Sequence, residues 1–235
     1  MTEQITLSNR LKQITKFLPE AAKFADIGSD HAYLPIAVCL EDPTARAVAG
    51  ELNQGPYQAA IDHVTNYHLT GQIKVIKGDG LDVIDNERVN QVVVAGMGGS
   101  LIRSILERGK DKLVEVERLI LQPNVDSQHI RSWIEDNDYT LVDEVILEED
   151  GHIYEILIAD QAIDQQISKL TEQEQLFGPF LLKKRDPIFK QKWQSELNNY
   201  QRIIKQMERA KQPNLQKIND YREQLSWIER VLSDG

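Results

Sequence analysis

The residues best suited to chemistry follow a short apolar run near the start of the chain. The stretch FADIGSDHAYLP, from Phe24 to Pro35, begins like a buried strand, turns at Gly28 and then turns polar. Polar or glycine residues also follow four later strand-like runs, at Glu51, at Asp79 and Gly80, at Gly96 to Gly99, and at Gln122 to Asn124. In an open α/β sheet, ligands bind beyond the carboxyl ends of the strands. The pattern therefore predicts a ligand site built from these residues.

The acids of this predicted site narrow the choice of ligand. A pyrophosphate needs backbone N–H groups and few anions, which is why dinucleotide sites are rich in glycine. Here the G-x-G-x-x-G fingerprint is absent, because Asp30 occupies the position of its second glycine. Carboxylates within about 4–6 Å repel a phosphate and attract a sulfonium or an amino group. S-adenosylmethionine carries both of these groups and no phosphate, so the acids favour it as the cofactor.

Glu51 has a spacing that fits a ribose. It follows Gly28 by 23 residues, close to the spacing of about 20 at which an acid accepts from ribose hydroxyls. This role would be the same with a dinucleotide or with S-adenosylmethionine.

The elements that must position these residues alternate between helix and strand. Leu7 to Leu18 predicts an amphipathic helix with Ser8 as its N-cap. Strand-like runs recur at KFADIG, ARAVAGEL, QIKVIKGDG, QVVVAGMGG and VERLILQPN, with helical stretches between them. This order predicts an α/β fold with a parallel sheet covered on both faces. Two more strand runs, YTLVDEVILEE and HIYEILIAD, are joined only at Asp150 and Gly151, which predicts a closing antiparallel hairpin. A dinucleotide oxidoreductase would instead repeat a second parallel half.

A change in composition predicts two domains. Residues 1–160 carry 14 Lys and Arg against 27 Asp and Glu, a net charge of −13, whereas residues 161–235 carry 13 against 10, a net charge of +3. Strand-like runs end at Asp160, and apolar residues then recur at helical spacing in 163–182, 189–207 and 215–232. We predict an α/β domain at 1–160 and a helical domain at 161–235. Its two long helices would form an antiparallel coiled coil that turns at Pro213 and Asn214.

The tail contains the best basic patch of the chain, formed by Lys183, Lys184, Arg185, Lys190 and Lys192. Such a patch can bind phosphates in a sequence-independent and salt-sensitive way. A short charge run is more often an ordinary solvated helix face. Because the net charge of the whole chain is −10, nucleic acid would bind only through a localised face.

Several other classes of site are disfavoured. No apolar run approaches the roughly 20 residues needed to cross a bilayer, and the start of the chain lacks an apolar signal core, so we expect a cytoplasmic protein. The single cysteine, Cys39, lies in an apolar run and is expected to be buried. His63, His68 and His129 have no spacing typical of a metal site, and no metal is expected. An apolar helix face could pack within the chain or against a copy, so the oligomeric state stays open.

Six motifs in order resemble one known family. DIGSDHAYLP, VAGELNQGPYQAA, KGDGLDVI, VAGMGG, LQPN and DGHIYEI, followed by a helical tail, resemble the bacterial tRNA (adenine-N1)-methyltransferases that act at position 22. The resemblance covers essentially the whole chain. It implies a Rossmann-like class I methyltransferase domain that uses S-adenosylmethionine, a C-terminal coiled-coil domain, and tRNA as the substrate.

The resemblance also implies roles for individual residues. Asp26 and Gly28 would form the turn against the methionine part, Glu51 would hold the ribose, and Asp79 would accept from the adenine amino group. Arg10 would pair with the cofactor carboxylate or, as is more common, with a surface acid. The full set of implied cofactor residues is Arg10, Asp26, Gly28, Ser29, Glu51, Leu52, Asp79, Gly80, Leu81, Ala95, Gly96 and Met97. Ala95 to Gly99 replaces the proline- and aromatic-rich signature of many amino-methyltransferases, which favours N1 over N6 chemistry.

The candidate catalytic residues are Asp30, His31 and Asn124, with Gln122, His152 and Tyr154 as weaker candidates for orienting the adenine. Because the methylated base is cationic, a carboxylate near the ring would stabilise the transition state. Each feature has a structural alternative. Asp30 could cap a helix that starts near Ala32, and the glycines could form only a tight turn. A noncatalytic partner protein that retains this fold is the alternative function.

Overall fold

The chain contains the predicted mixed sheet. The computed structural model describes residues 5–162 and 169–233, and the sheet within them has seven strands. The strands are β1 Lys23–Ile27, β2 Arg46–Glu51, β3 Ile73–Lys77, β4 Gln91–Gly98, β5 Arg118–Val125, β6 Tyr139–Glu149 and β7 His152–Gln161. Their order across the sheet is β3-β2-β1-β4-β5-β7-β6. The first five are parallel, and the β6–β7 hairpin is antiparallel, which confirms both predictions.

The helices occupy the predicted stretches. They are α1 Asn9–Thr15, α2 Tyr33–Glu41, α3 Gln54–Asn66, α4 Gly99–Arg108, α5 Ser127–Asp136, α6 Glu172–Phe177, α7 Pro179–Lys184, α8 Pro187–Glu208 and α9 Leu215–Ser233. Short 3-10 helices span Gly80–Ile84 and Lys110–Leu113. Ser8 is confirmed as the N-cap of α1, since its Oγ accepts from the N–H of Leu11 at 3.4 Å. The helix is shorter than predicted because Pro19 follows Leu18 and disfavours a helical conformation there.

Two apolar layers cover the faces of the sheet. Along β4, Val92 and Val94 point to the layer that contains residues of α4 and α5, whereas Val93 points to the layer that contains residues of α1, α2 and α3. Cys39 is buried in this second layer, as predicted. Because both faces are covered, polar groups with access to a ligand are concentrated at the ends of the strands.

A buried ion cluster joins α5 to the closing hairpin. Arg131 Nε lies 2.6 Å from Glu144 Oε1, and Arg131 Nη2 lies 2.8 Å from Glu155 Oε2. All three side chains are almost completely buried. The nearby carboxylates hold the pKa of the Arg131 guanidinium above its usual range, against the opposing effect of burial. This cluster ties the closing hairpin to α5.

The described residues divide into two compact units, the first ending at Leu170 and the second beginning at Thr171. In the second unit, α8 and α9 are in contact, with the rings of Tyr200 and Tyr221 packed edge to face at 5.2 Å and Arg222 Nη2 at 2.7 Å from Glu208 Oε1. Part of the helical spacing predicted for 163–182 falls on 163–168, outside the described residues. Within the residues that are described, no helix is long and apolar enough to cross a membrane.

Candidate functional site

The chain turns after β1 in a conformation that favours glycine. Gly28 has a φ of +70°, and a Cβ at this position would overlap the Cε of Met97. The N–H groups of Gly28 and Ser29 donate to the carbonyl oxygen of Gly50 at 2.9 and 3.0 Å. These contacts bring three predicted cofactor residues, Gly28, Ser29 and Met97, together at the carboxyl edge of the sheet.

Two buried carboxylates lie near the ends of β1 and β2. Asp26 is 4% exposed and accepts from Ser29 Oγ at 2.7 Å. Burial raises the pKa of Asp26 to about 7, and the charges of Glu51 and Asp30 contribute to the rise. Burial also raises the pKa of Glu51, although the backbone N–H groups of His31 and Asp30 favour its charged form.

One oxygen of the Glu51 carboxylate is left without a hydrogen bond by the described part of the chain. The side chain is 6% exposed, and its Oε1 has no hydrogen-bond partner among the residues that the structure describes. A buried polar atom without a partner is costly. A ligand with hydroxyl donors and positive charge would satisfy this oxygen and offset the excess negative charge, so the site fits the ribose and the cationic groups of S-adenosylmethionine.

The residues between the first turn and α2 adopt an uncommon conformation. Asp30, His31 and Ala32 have φ values of +46°, +67° and +61°, which are unusual for residues other than glycine. Ala32 is the N-cap of α2, and no side chain caps this helix. The interpretation of Asp30 as the helix cap is therefore wrong. The Asp30 side chain is 84% exposed, and its Oδ1 lies 3.5 Å from His31 Nε2.

A second cofactor region follows β3. Arg108 holds the carboxylate of Asp79 with two hydrogen bonds, at 2.8 and 3.1 Å. This contact keeps the pKa of Asp79 below its usual range. Gly80 has a φ of +58°, and Leu81 is buried in the core, so these residues offer backbone groups rather than polar side chains. Leu52, which follows β2, is one of the exposed large apolar residues.

A network of amide groups fixes the end of β4. Gly96, with a φ of +76°, donates its N–H to Gln122 Oε1 at 3.1 Å and accepts at its carbonyl from Asn124 Nδ2 at 2.9 Å. Gln122 is fully buried, and its Nε2 donates to Asn124 Oδ1 at 3.2 Å. Ala95 lies beside Gln122 in the sheet register. Gly96 lies within β4, where the register with β5 shifts between Ala95 and Met97, so its positive φ belongs to an irregularity of the strand and not to a strand-to-helix turn. This stretch lies at the carboxyl edge with the other predicted site residues.

Arg10 of α1 reaches the same network. Its Nη1 donates to Gln122 Oε1 at 2.7 Å, and its Cζ lies 5.4 Å from the centre of the Tyr154 ring. A surface acid is also nearby, since Arg10 Nε lies 4.0 Å from Glu149 Oε2. The His152 ring lies 6.3 Å from the Tyr154 ring. The structure therefore places Arg10 and Tyr154 beside the amide network.

Nothing in the sequence indicates that His63 lies beside the candidate site. The ring of His63, on α3, lies 5.6 Å from that of His31 and 5.4 Å from that of Tyr33. Because α3 begins just after β2, a histidine two turns along it is close to the start of α2 only through the tertiary fold. No spacing along the chain could have indicated this contact.

The predicted basic patch lies on α7, the turn after it and the start of α8. Lys183 Nζ lies 5.6 Å from the centre of the Phe180 ring, and Lys192 Nζ lies 5.0 Å from that of Trp193. Arg185 Nε donates to the carbonyl of Leu182 at 3.1 Å. Lys184 is exposed and Lys190 is partly buried. No described cluster of three or more His, Cys, Asp or Glu side chains could hold a metal ion.

Five parallel strands with a closing hairpin and an acidic carboxyl edge define a Rossmann-like methyltransferase fold. A family model described as tRNA (adenine(22)-N(1))-methyltransferase matches residues 24–230. A curated Bacillus subtilis protein of that name is 42% identical over 238 residues, which cover 99% of each chain. The chain belongs to the tRNA (adenine(22)-N(1))-methyltransferase family.

Solved structures agree with this assignment. The crystal structure of the Bacillus subtilis M1A22 tRNA methyltransferase TrmK is 42% identical, with a TM-score of 0.88 over 97% of this chain and 100% of that chain. A Streptococcus pneumoniae relative, solved in complex with S-adenosyl-L-methionine, is 38% identical, with a TM-score of 0.84 over the same shares. The family model begins at Phe24, so α1 and Arg10 lie outside the residues that it matches.

Proposed function

We propose that this chain transfers a methyl group from S-adenosylmethionine to N1 of an adenine in tRNA, at position 22. Within this family, the observation that carries the proposal is the buried carboxylate of Glu51. One of its oxygens lacks a partner among the described residues, and Asp26 adds a second buried acid. These acids would attract a cation and repel a phosphate, which supports S-adenosylmethionine over a dinucleotide.

The cofactor contacts are proposed along the carboxyl edge. Asp26, Gly28 and Ser29 would hold the methionine part, and Glu51 would accept from the ribose hydroxyls. Asp79 would accept from the adenine amino group. The other proposed contacts are Arg10, Leu52, Gly80, Leu81, Ala95, Gly96 and Met97. When bound, the cofactor supplies a methyl group activated by a sulfonium.

The catalytic task of the chain is positioning and electrostatic stabilisation. N1 of adenine has its own lone pair, so no residue has to remove a proton before the methyl group is transferred. Asn124, held against Gly96, would orient the ring. Asp30 would stabilise the positive charge that develops on the adenine, and His31 is the second candidate. Asp30→Asn should then lower turnover and leave cofactor affinity largely unchanged.

The tail is proposed to bind the tRNA backbone. We assign the methyltransferase domain to 1–160 and the helical domain to 161–235, with α8 and α9 as an antiparallel coiled coil. The Tyr200–Tyr221 packing and the Glu208–Arg222 pair support this arrangement. The phosphate contacts would come from Lys183, Lys184, Arg185, Lys190 and Lys192. The proposed location is the cytoplasm, with its pool of tRNA.

The direct test is a methyl-transfer assay. Purified protein is incubated with labelled S-adenosylmethionine and unmodified bulk tRNA, and the product nucleosides are separated and identified. Appearance of 1-methyladenosine is expected, and a transcript with guanosine at position 22 should lose the label. No transfer despite measurable cofactor binding, with a control enzyme active on the same tRNA, would favour the noncatalytic alternative.

A further inference from the structure

Three rings form a partly exposed cluster beside the first turn, which we call the ring cluster: His31, Tyr33 and His63. Their centres are 5.8 Å apart for His31 and Tyr33, 5.6 Å for His31 and His63, and 5.4 Å for Tyr33 and His63. The rings come from the turn after β1, the first residue of α2 and the last turn of α3. None of the proposed cofactor contacts involves Tyr33 or His63.

The backbone is arranged to hold this cluster in place. Three consecutive left-handed residues, Asp30 to Ala32, carry the chain from the turn into α2. His63 Nδ1 lies 3.1 Å from the carbonyl oxygen of His31. Since a carbonyl oxygen can only accept, Nδ1 of His63 carries the proton in this contact. The bond fixes the plane of the His63 ring and ties α3 to the strained turn.

The ring cluster is more exposed than the side chains of the apolar layers. Tyr33 is 39% exposed and the His31 side chain is 38% exposed. The residues on either side of Tyr33, Ala32 and Leu34, are buried in the apolar layer, but the three rings are outside it. Rings that only stabilised the fold would be expected to be more buried. The cluster thus offers exposed aromatic surface next to Asp30.

We infer that the ring cluster stacks against a nucleobase of the tRNA that neighbours the target adenine. This inference rests on the proposed function. An adenine inside a folded RNA must leave its stack before it can react, which leaves neighbouring bases partly unstacked. Aromatic side chains replace lost base stacking without requiring a particular sequence. The cluster lies beside Asp30, the first candidate for contact with the adenine, so a neighbouring base would be within its reach.

The first experiment removes the rings singly in the full-length protein. Tyr33→Leu removes the aromatic face but keeps an apolar side chain, and Tyr33→Phe keeps the face. His63→Asn retains an amide donor near the position of Nδ1 but loses the ring. The KM for tRNA should rise about tenfold in Tyr33→Leu and His63→Asn, with cofactor Kd unchanged, while Tyr33→Phe retains tRNA affinity. The matched control is His68→Asn, which makes the same change at an exposed residue two positions beyond the C-terminal end of α3.

The second experiment changes the RNA, so it does not depend on how the variants fold. An abasic nucleotide replaces either neighbour of the target adenine, and wild-type and Tyr33→Leu enzymes are compared. At one position the substitution should weaken wild-type binding about tenfold and the variant much less. Equal losses in both proteins, or a loss of cofactor affinity in Tyr33→Leu, would overturn the inference. Failure of the wild-type enzyme to methylate intact tRNA would instead reject the proposed function.

Discussion

The two halves of the carboxyl edge differ in how their buried polar groups are satisfied. At β1 and β2, Asp26 and Glu51 are buried with raised pKa values, and one Glu51 oxygen lacks a partner in the described chain. At β4 and β5, Gln122 and Asn124 are joined to Gly96 and Arg10 by hydrogen bonds. The first half needs a ligand to complete it, and the second is already complete. The comparison separates a half whose buried acids are left open for a ligand from a half whose polar groups are held in place by the protein.

Replacing Glu51 should have the largest effect on binding. Glu51→Gln keeps the size of the side chain but removes its charge, and hydrogen bonds to charged groups are the strong ones. The Kd for S-adenosylmethionine should rise about 100-fold, equivalent to about 3 kcal/mol. The free protein should not lose thermal stability, because a buried and poorly compensated charge has been removed.

Calorimetric titration and thermal unfolding measure the two quantities separately. Glu115→Gln, the same change at an exposed position, should leave both unchanged. A Glu51→Gln protein that unfolds more easily but binds normally would show that this half serves the fold instead.

Replacing Gln122 should lower stability more than it weakens cofactor binding, the reverse of what is expected for Glu51→Gln. Gln122→Met removes the acceptor shared by Arg10 Nη1 and the N–H of Gly96, so both donors lose this partner. The free energy of unfolding should fall by about 2–3 kcal/mol, because a buried polar group that loses its hydrogen-bond partner costs about 1–3 kcal/mol. The cofactor Kd should rise less than in Glu51→Gln.

Urea unfolding checks this prediction against a control on the neighbouring strand. Gln91 is also buried, but its Oε1 has no hydrogen-bond partner in the described chain. Gln91→Met should therefore cost less stability than Gln122→Met. Equal costs would mean that the amide network contributes nothing beyond the packing of its side chains.

The pH dependence of cofactor binding tests whether Asp26, in the β1–β2 half of the edge, is charged when the ligand is bound. The pKa of Asp26 is about 7 in the free protein. A cationic ligand favours the charged carboxylate, so binding releases a proton below this pKa and weakens as the pH falls. Cofactor affinity should drop about tenfold between pH 8 and pH 6.

The matched variant for this profile is Asp26→Asn, in which that carboxyl cannot titrate. Titration of the ligand itself is common to both proteins, so the difference between their profiles, measured by calorimetry, is the informative quantity. Parallel profiles would show that Asp26 stays in one protonation state when the ligand binds.

The fold was largely predictable because it depends on pattern. Continuous apolar runs predict buried parallel strands, and the two-residue connection at Asp150 and Gly151 allows only a hairpin. The boundary of α1 was wrong by a few residues, since apolar spacing continues to Leu18 while Pro19 ends the helix earlier. The buried Arg131 cluster could not be predicted, because its charges pair across α5, β6 and β7.

Individual site residues were predictable only in part. The apolar pattern predicts where strands end, and it therefore identifies Asp26, Glu51 and Gln122. It does not predict hydrogen-bond partners, because Arg10 and His63 contact the site across long sequence separations. The helix-cap interpretation of Asp30 failed because three consecutive left-handed residues precede α2. Asp and His adopt this conformation more often than most residues, but residue type alone does not predict a run of three.

The smallest effect is expected where the first half of the edge meets α4. Arg108 holds Asp79 through two hydrogen bonds, but both side chains are about half exposed, so the pair contributes little to stability. If Arg108 orients the carboxylate that accepts from the cofactor adenine, Arg108→Met should raise the cofactor Kd about three-fold and leave thermal stability within error. Arg103→Met, on the same helix, should change neither value. Tighter binding in Arg108→Met would show that the guanidinium competes with the adenine for Asp79. Asp79 would then belong with the polar groups that are already paired within the protein, and the half that is open to the ligand would end at β2.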